Sequence, residues 1–221
     1  MNTKKTFQKE NDELLQYILD TRIFNILKNP LDQAFLHLNA TNVELYITSE
    51  CNLKCEYCYL SKHGDELYPK EIRNQDLILQ NLQILLKHFF EEKYIIQKLE
   101  LFSGEIWGTS FSDNIFNIIL NSIKEGLSIK EIIIPSNMTF ITSENATKNI
   151  QEWIDKYKTI QTDLVFSASI DGLYIEDLSR PFIDSSKNGL RDEDYYEKLF
   201  SFCKKNNFGF HPMISSSNAK Y

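Results

Sequence analysis

Three cysteines crowded into eight positions are the side chains in this sequence best suited to chemistry. Cys51, Cys55 and Cys58 form a C-x3-C-x2-C cluster, whereas the remaining cysteine, Cys203, lies far downstream. This is not the spacing of a disulfide framework, and three thiolates in so short a loop can surround one metal centre. A four-iron four-sulfur cluster ordinarily takes four cysteines, so a site with three leaves one iron open to an exogenous ligand.

Two other metal sites could use the same cysteines, and the spacing alone leaves both open. His63 could complete a closed zinc site of the Cys3His type, which would be structural and inert. Cys203 could act as the fourth ligand of an electron-carrying cluster. The apolar spacing around Cys203 favours a small core residue in a helix, so we assign it no metal.

Alternating strand and helix patterns must position this cysteine loop. A strand-like run, Val43–Thr48, ends just before Cys51, and helical spacing follows over 71–93. Further strands are predicted over 98–102, 131–135, 163–170 and 208–214, with helices over 112–125, 143–157 and 192–205. Such connections join parallel strands, so we predict an α/β fold with five strands, either an open sheet or a barrel.

Polar residues follow the other predicted strands at corresponding places. Gly104 and Glu105 come after the second strand, Asn137 comes after the third, and Ser169 and Asp171 lie at the end of the fourth. In parallel α/β sheets and barrels, the active site lies beyond the carboxyl ends of the strands. We therefore expect these residues to meet the cysteines on one rim.

The segment from Glu44 to Leu60 resembles the signature of the radical SAM superfamily. The likeness includes the strand before the loop, the cysteine spacing and the aromatic Tyr57 before the third cysteine. It implies a 4Fe-4S cluster on the three cysteines, with S-adenosyl-L-methionine on the open iron. One electron would then yield methionine and a 5′-deoxyadenosyl radical that abstracts a substrate hydrogen. The implied fold is a partial parallel (β/α) barrel.

Motifs further along resemble the SPASM-type peptide and sulfatase maturases of that superfamily. Ser103-Gly104-Glu105 stands where relatives have Gly-Gly-Glu, which implies binding of the methionyl amino group. Ser169 would face the ribose or methionyl carboxylate, Asp171 the substrate, and Arg180, which follows Asp177, would be a carboxylate clamp. The implied cofactor-binding residues are Tyr57, Gly104, Glu105, Asn137, Ser169, Asp171 and Arg180.

Composition and resemblance together suggest the partners. The net charge of −7 and the pI near 5.2 give no basic surplus for nucleic acid or an anionic membrane. No signal region and no long apolar stretch is present, so we expect a cytoplasmic protein without a membrane partner. The resemblance implies a peptide or protein substrate and an electron donor such as a flavodoxin or ferredoxin.

The sequence divides into a helical N-terminal extension over 1–40 and a radical SAM core over 41–221. Relatives have a sixth strand and a cysteine-rich C-terminal part, so we expect the core to be truncated before strand six. The favoured function is an enzyme that modifies a peptide or protein side chain. The alternatives are a non-catalytic zinc- or cluster-binding module and a truncated, inactive radical SAM protein.

Overall fold

Four parallel strands form the framework of the structure, which is a computed structural model. It describes residues 41–60, 63, 74–108, 112–172 and 176–212. The helical extension predicted over 1–40 lies outside these residues. The strands, which lie in the sheet in chain order, are β1 (Thr41–Thr48), β2 (Ile95–Ser103), β3 (Ser128–Ser136) and β4 (Asp163–Ala168).

Helices connect the strands, and polar caps fix where several of them begin. The α-helices are α1 (Gln75–Glu91), α2 (Ser112–Lys124), α3 (Glu144–Lys158), α4 (Glu176–Ser179) and α5 (Glu193–Asn206). The side chains of Asn74, Ser143 and Asp192 cap α1, α3 and α5, each accepting a hydrogen bond from a backbone N–H in the first turn. Asn207 ends α5 in the left-handed conformation typical of a C-terminal stop.

The core lies between one face of the sheet and these helices. Alternate residues of β2, such as Leu99 and Leu101, are fully buried, and so are Phe116 of α2, Ile150 of α3 and Leu199 of α5. Burying each such side chain stabilises the fold by about 1.5–3 kcal/mol. This packing holds the sheet in a fixed position, so the carboxyl ends of its strands present a rigid edge.

The predicted α/β class and the parallel sheet are confirmed, with differences in extent. β2 begins three residues earlier than predicted, and β4 ends at Ala168, before the predicted end at residue 170. Just beyond this end, the Ser169 N–H still donates to the Ser136 carbonyl of β3, whereas the Ser169 carbonyl accepts a hydrogen bond from the Arg180 side chain.

The fifth predicted strand is reduced to one bridge within the described residues. Phe210 forms a parallel bridge with Ala168, supported by backbone hydrogen bonds from Ala168 to Gly209 and from His211 to Ala168. The rest of that strand, residues 213 and 214, is not described. Among the described helices, none combines the length and apolar character required to span a bilayer.

Candidate cofactor site

A cavity of about 700 Å³ opens at the carboxyl ends of the strands. Its volume lies within the range of small-molecule and cofactor sites. Apart from Glu105, every site residue predicted from the sequence lines it: Cys51, Cys55, Tyr57, Cys58, Gly104, Asn137, Ser169, Asp171 and Arg180. The structure therefore brings together residues from four separate parts of the chain.

The cysteine loop, residues 49–58, is held by antiparallel pairing with residues 179–183. The backbone N–H of Lys54 donates to Pro181 at 2.8 Å, that of Glu56 donates to Ser179 at 3.0 Å, and Leu53 and Phe182 form a bridge. Sequence patterns missed this pairing because both partners are irregular segments. The loop position consequently depends on the segment after β4.

The three cysteines of the loop are half-buried and form no disulfide bond. Burial raises the pKa of Cys51 to about 12, although a hydrogen bond from the Leu53 N–H opposes this rise. Burial also raises the pKa of Cys55, while the charge of Arg180 lowers it. Any metal centre bound here must therefore displace thiol protons, which makes its uptake pH-dependent.

Cys203 and His63 were considered above as the fourth ligands of an electron-carrying cluster and of a zinc site. Cys203 is buried within the core, does not line the cavity, and has a pKa raised to about 11 by burial. His63 is exposed. Within the described ranges, no group of three or more His, Cys, Asp or Glu side chains is gathered closely enough to hold a metal ion.

Glu105 lies beneath the cavity and does not line it. Its carboxylate accepts hydrogen bonds from Ser136 Oγ at 3.1 and 3.2 Å and from the Asn137 backbone N–H at 2.7 Å. Burial raises its pKa to about 7, with these hydrogen bonds opposing the rise. Glu105 therefore links the end of β2 to the end of β3, and its predicted contact with the methionyl amino group stays a prediction.

Gly104 is required by a close approach of two backbone segments. A Cβ at this position would lie 2.3 Å from the carbonyl oxygen of Glu50 and 2.7 Å from that of Ser49, at the start of the cysteine loop. The Gly104 N–H also donates to Thr48 at 2.7 Å. The preceding residue, Ser103, is the last residue of β2, and its backbone does not have the positive φ that would require glycine.

Asn137 holds the cysteine loop as well as lining the cavity. Its amide Nδ2 donates to Asn52 Oδ1 at 2.8 Å and lies 3.8 Å from the Cys51 sulfur. Its Oδ1 accepts hydrogen bonds from the backbone N–H and the hydroxyl of Thr139. Both ends of the amide are thus used within the protein, an arrangement that positions Cys51.

Asp171, which also lines the cavity, is the centre of a polar network. Its Oδ2 accepts hydrogen bonds from the Tyr57 hydroxyl at 2.6 Å and from Ser179 Oγ at 3.1 Å. Arg180 lies 4.0 Å from its Oδ1 and donates to the Ser169 carbonyl. Burial and the bond to Asp171 raise the pKa of Tyr57, so this hydroxyl stays a donor.

Sequence reasoning missed two contributors to the site. Arg191 donates to Asp177 Oδ1 from Nε at 2.8 Å and to the Arg180 carbonyl from Nη2 at 2.6 Å, so Asp177 pairs with Arg191. His211 lines the cavity with its Nδ1 2.5 Å from Ser167 Oγ. No periodic pattern connects Asp177 to Arg191, since the pair closes an irregular loop.

Comparison with known proteins finds similarity among solved structures alone. No family model and no curated protein matches the chain. The chain is similar to a histidine-tagged form of anSMEcpe with bound AdoMet, with a TM-score of 0.53 and 20% identity over 82% of this chain and 46% of that chain. Native anSMEcpe also matches at 20% identity, with AdoMet and the Cp18Cys peptide (TM-score 0.48, 78% and 42% covered) and with AdoMet (0.47, 77% and 43%).

These neighbours are structures of an anaerobic sulfatase-maturating enzyme of the radical SAM superfamily. The chain spans less than half of the neighbour with the highest of these TM-scores. At 20% identity, the likeness shows a shared fold. The parallel four-stranded sheet with its helices is consistent with a partial fold of the kind found in that neighbour.

Proposed function

We propose that this chain is a radical SAM enzyme that binds a 4Fe-4S cluster through Cys51, Cys55 and Cys58. The observation that carries the proposal is the position of these three thiols on the wall of one cavity at the carboxyl ends of parallel strands. A site of this kind needs room for a second ligand beside the metal centre. The cavity of about 700 Å³ supplies that room.

The donor set suits a cluster better than a single ion. A structural zinc ion needs four side chains converging on one point, whereas each thiolate of an iron–sulfur cluster binds a different iron. Cys51, Cys55 and Cys58 line the cavity and could each bind one iron, which would leave the fourth iron open to a second ligand.

When bound, the cluster would supply one electron to S-adenosylmethionine. Cleavage of this cofactor would give methionine and a 5′-deoxyadenosyl radical. The chain's own residues would hold the cluster and orient the cofactor beside it. Asn137 holds the loop beside Cys51, and the hydrogen bond from Tyr57 to Asp171 holds it at a second point. Ser169 and Asp171 line the cavity and would be polar contacts for the cofactor.

The proposed substrate is a peptide or protein side chain. Support comes from the fold shared with anSMEcpe, which is a sulfatase-maturating enzyme with bound AdoMet. A flavodoxin or ferredoxin is the proposed electron donor, because the cluster needs one electron for each cleavage.

Anaerobic reconstitution tests the proposal. The protein is loaded with iron and sulfide, reduced with dithionite and given S-adenosylmethionine, and 5′-deoxyadenosine and methionine are measured by mass spectrometry. We expect equimolar products from the wild type and from Cys203→Ala, and none from Cys55→Ala. A fully loaded protein that releases neither product contradicts the proposal, and so does an anaerobically purified protein that holds zinc without iron.

A further inference from the structure

Arg180 lies directly opposite Cys55 in the antiparallel pairing of the cysteine loop with residues 179–183. The two backbone hydrogen bonds that flank the pair, at 2.8 and 3.0 Å, fix this register. Both residues line the same cavity. The guanidinium donates a hydrogen bond to the Cys55 sulfur.

The Arg180 side chain is locked in this place. This side chain is 4% exposed and donates to the Ser169 carbonyl. The backbone carbonyl of Arg180 accepts a 2.6 Å hydrogen bond from the Arg191 side chain. A guanidinium keeps its proton at any physiological pH, and its charge acts strongly where water is excluded. The protein therefore holds a permanent positive charge against one predicted cluster ligand.

A negative charge nearby reduces this effect without cancelling it. Asp171 lies 4.0 Å from the guanidinium, and its carboxylate is already hydrogen-bonded by Tyr57 and Ser179. The guanidinium, in contrast, is itself hydrogen-bonded to the Cys55 sulfur, so its positive charge acts on that sulfur at contact distance.

We infer that Arg180 tunes the cluster by donating a hydrogen bond to the Cys55 sulfur and raising the reduction potential. Hydrogen bonds to the sulfurs and nearby charge are among the main determinants of iron–sulfur potentials. Reduction adds one negative charge to the cluster, and a fixed positive charge stabilises that state more than the oxidised one. The inference rests on the proposed function, because Cys55 must be a cluster ligand. It gives Arg180 a positioning and electrostatic role in place of the carboxylate clamp predicted from the sequence.

Redox titration followed by electron paramagnetic resonance tests the inference on reconstituted protein. We expect Arg180→Gln to shift the midpoint potential to more negative values, and Arg180→Lys to shift it less. Lys54→Gln is the control, since Lys54 carries the same charge next to Cys55 in the loop but is exposed to solvent. Equal shifts in both glutamine variants overturn the inference, because they indicate a general charge effect, and so does an unchanged potential in a fully loaded Arg180→Gln protein.

A second measurement detects the arginine nitrogen directly. In wild-type protein labelled with 15N-arginine, pulsed electron paramagnetic resonance of the reduced cluster should detect a weakly coupled nitrogen, and Arg180→Lys should remove that coupling. A strong cluster signal without arginine nitrogen coupling overturns the inference while leaving the proposed function intact. If no iron–sulfur signal forms in the wild type, the proposed function fails, and the inference fails with it.

Discussion

The Tyr57 hydroxyl donates a 2.6 Å hydrogen bond to the carboxylate of Asp171, although the two residues are 114 positions apart. Tyr57 lies within the cysteine loop, and Asp171 lies just after β4. The bond therefore joins the loop to the end of the sheet, at the cavity that both residues line.

Tyr57→Phe should destabilise the protein by about 1 kcal/mol, because Tyr57 is partly exposed and water replaces some of the lost bond. Urea unfolding measures the change, and a double-mutant cycle with Asp171→Asn should show a coupling of about 1 kcal/mol. Tyr94→Phe is the control, since Tyr94 is similarly exposed and precedes β2, at the opposite end of the strand from the cavity. Strictly additive effects in the cycle would contradict a direct interaction.

Gly104→Ala should disturb the cysteine loop, because the added Cβ meets the Glu50 carbonyl at 2.3 Å. We expect a loss of about 1–3 kcal/mol in the free energy of unfolding and a lower iron content after reconstitution. Gly209→Ala is the matched control, since a Cβ there meets nothing within 4 Å. Equal stability and iron content in the two variants would show that the close approach has no consequence.

Glu105→Gln should change how stability depends on pH. The folded pKa of Glu105 is about 7, above its ordinary 4.5, so the folded state retains a proton that the unfolded state loses between these values. Stability contributed by the protonated form is complete below pH 4.5 and is lost as the pH rises through 7, by about 3 kcal/mol. Cluster-free wild type should therefore lose this stability relative to Glu105→Gln over that window. The free energy of unfolding of both proteins is measured by urea unfolding at each pH. If it changes with pH in the same way for wild type and Glu105→Gln, the raised pKa of Glu105 is contradicted.

Met138→Gly should destabilise the protein although it removes backbone strain. Met138 is fully buried and has a φ of 59°, a conformation that favours glycine by about 1 kcal/mol. Losing the buried side chain costs about 2–5 kcal/mol, so we expect a net loss of about 1–4 kcal/mol. Met138→Leu, which keeps the volume and the strain, should cost less than about 1.5 kcal/mol. A glycine variant more stable than wild type would mean that strain outweighs packing at this position.

Much of the fold could be predicted because periodicity and caps are local signals. The apolar spacing of α3 and its Ser143 cap are local to the helix, and its predicted span differs by one residue at each end. The meeting of the cysteines with Asn137 and Asp171 was predictable from one topological rule, because parallel strands end on the same edge.

The remaining features of the site depend on contacts between segments without a pattern. The register that sets Arg180 opposite Cys55 joins two irregular loops. The burial of Glu105 depends on Ser136 and Asn137, which approach it only once β2 and β3 are paired. Such contacts carry no sequence period, so residue types alone could not assign them.

The central proposal is that one iron of the cluster has no cysteine ligand and can bind S-adenosylmethionine. The response of the reduced cluster to this cofactor tests the proposal most directly. Reconstituted protein is reduced anaerobically, and its electron paramagnetic resonance spectrum is recorded before and after the cofactor is added. We predict a cubane cluster signal that changes shape on addition, with Cys203→Ser behaving as wild type. A fully loaded cluster whose spectrum is identical with and without the cofactor would contradict the account.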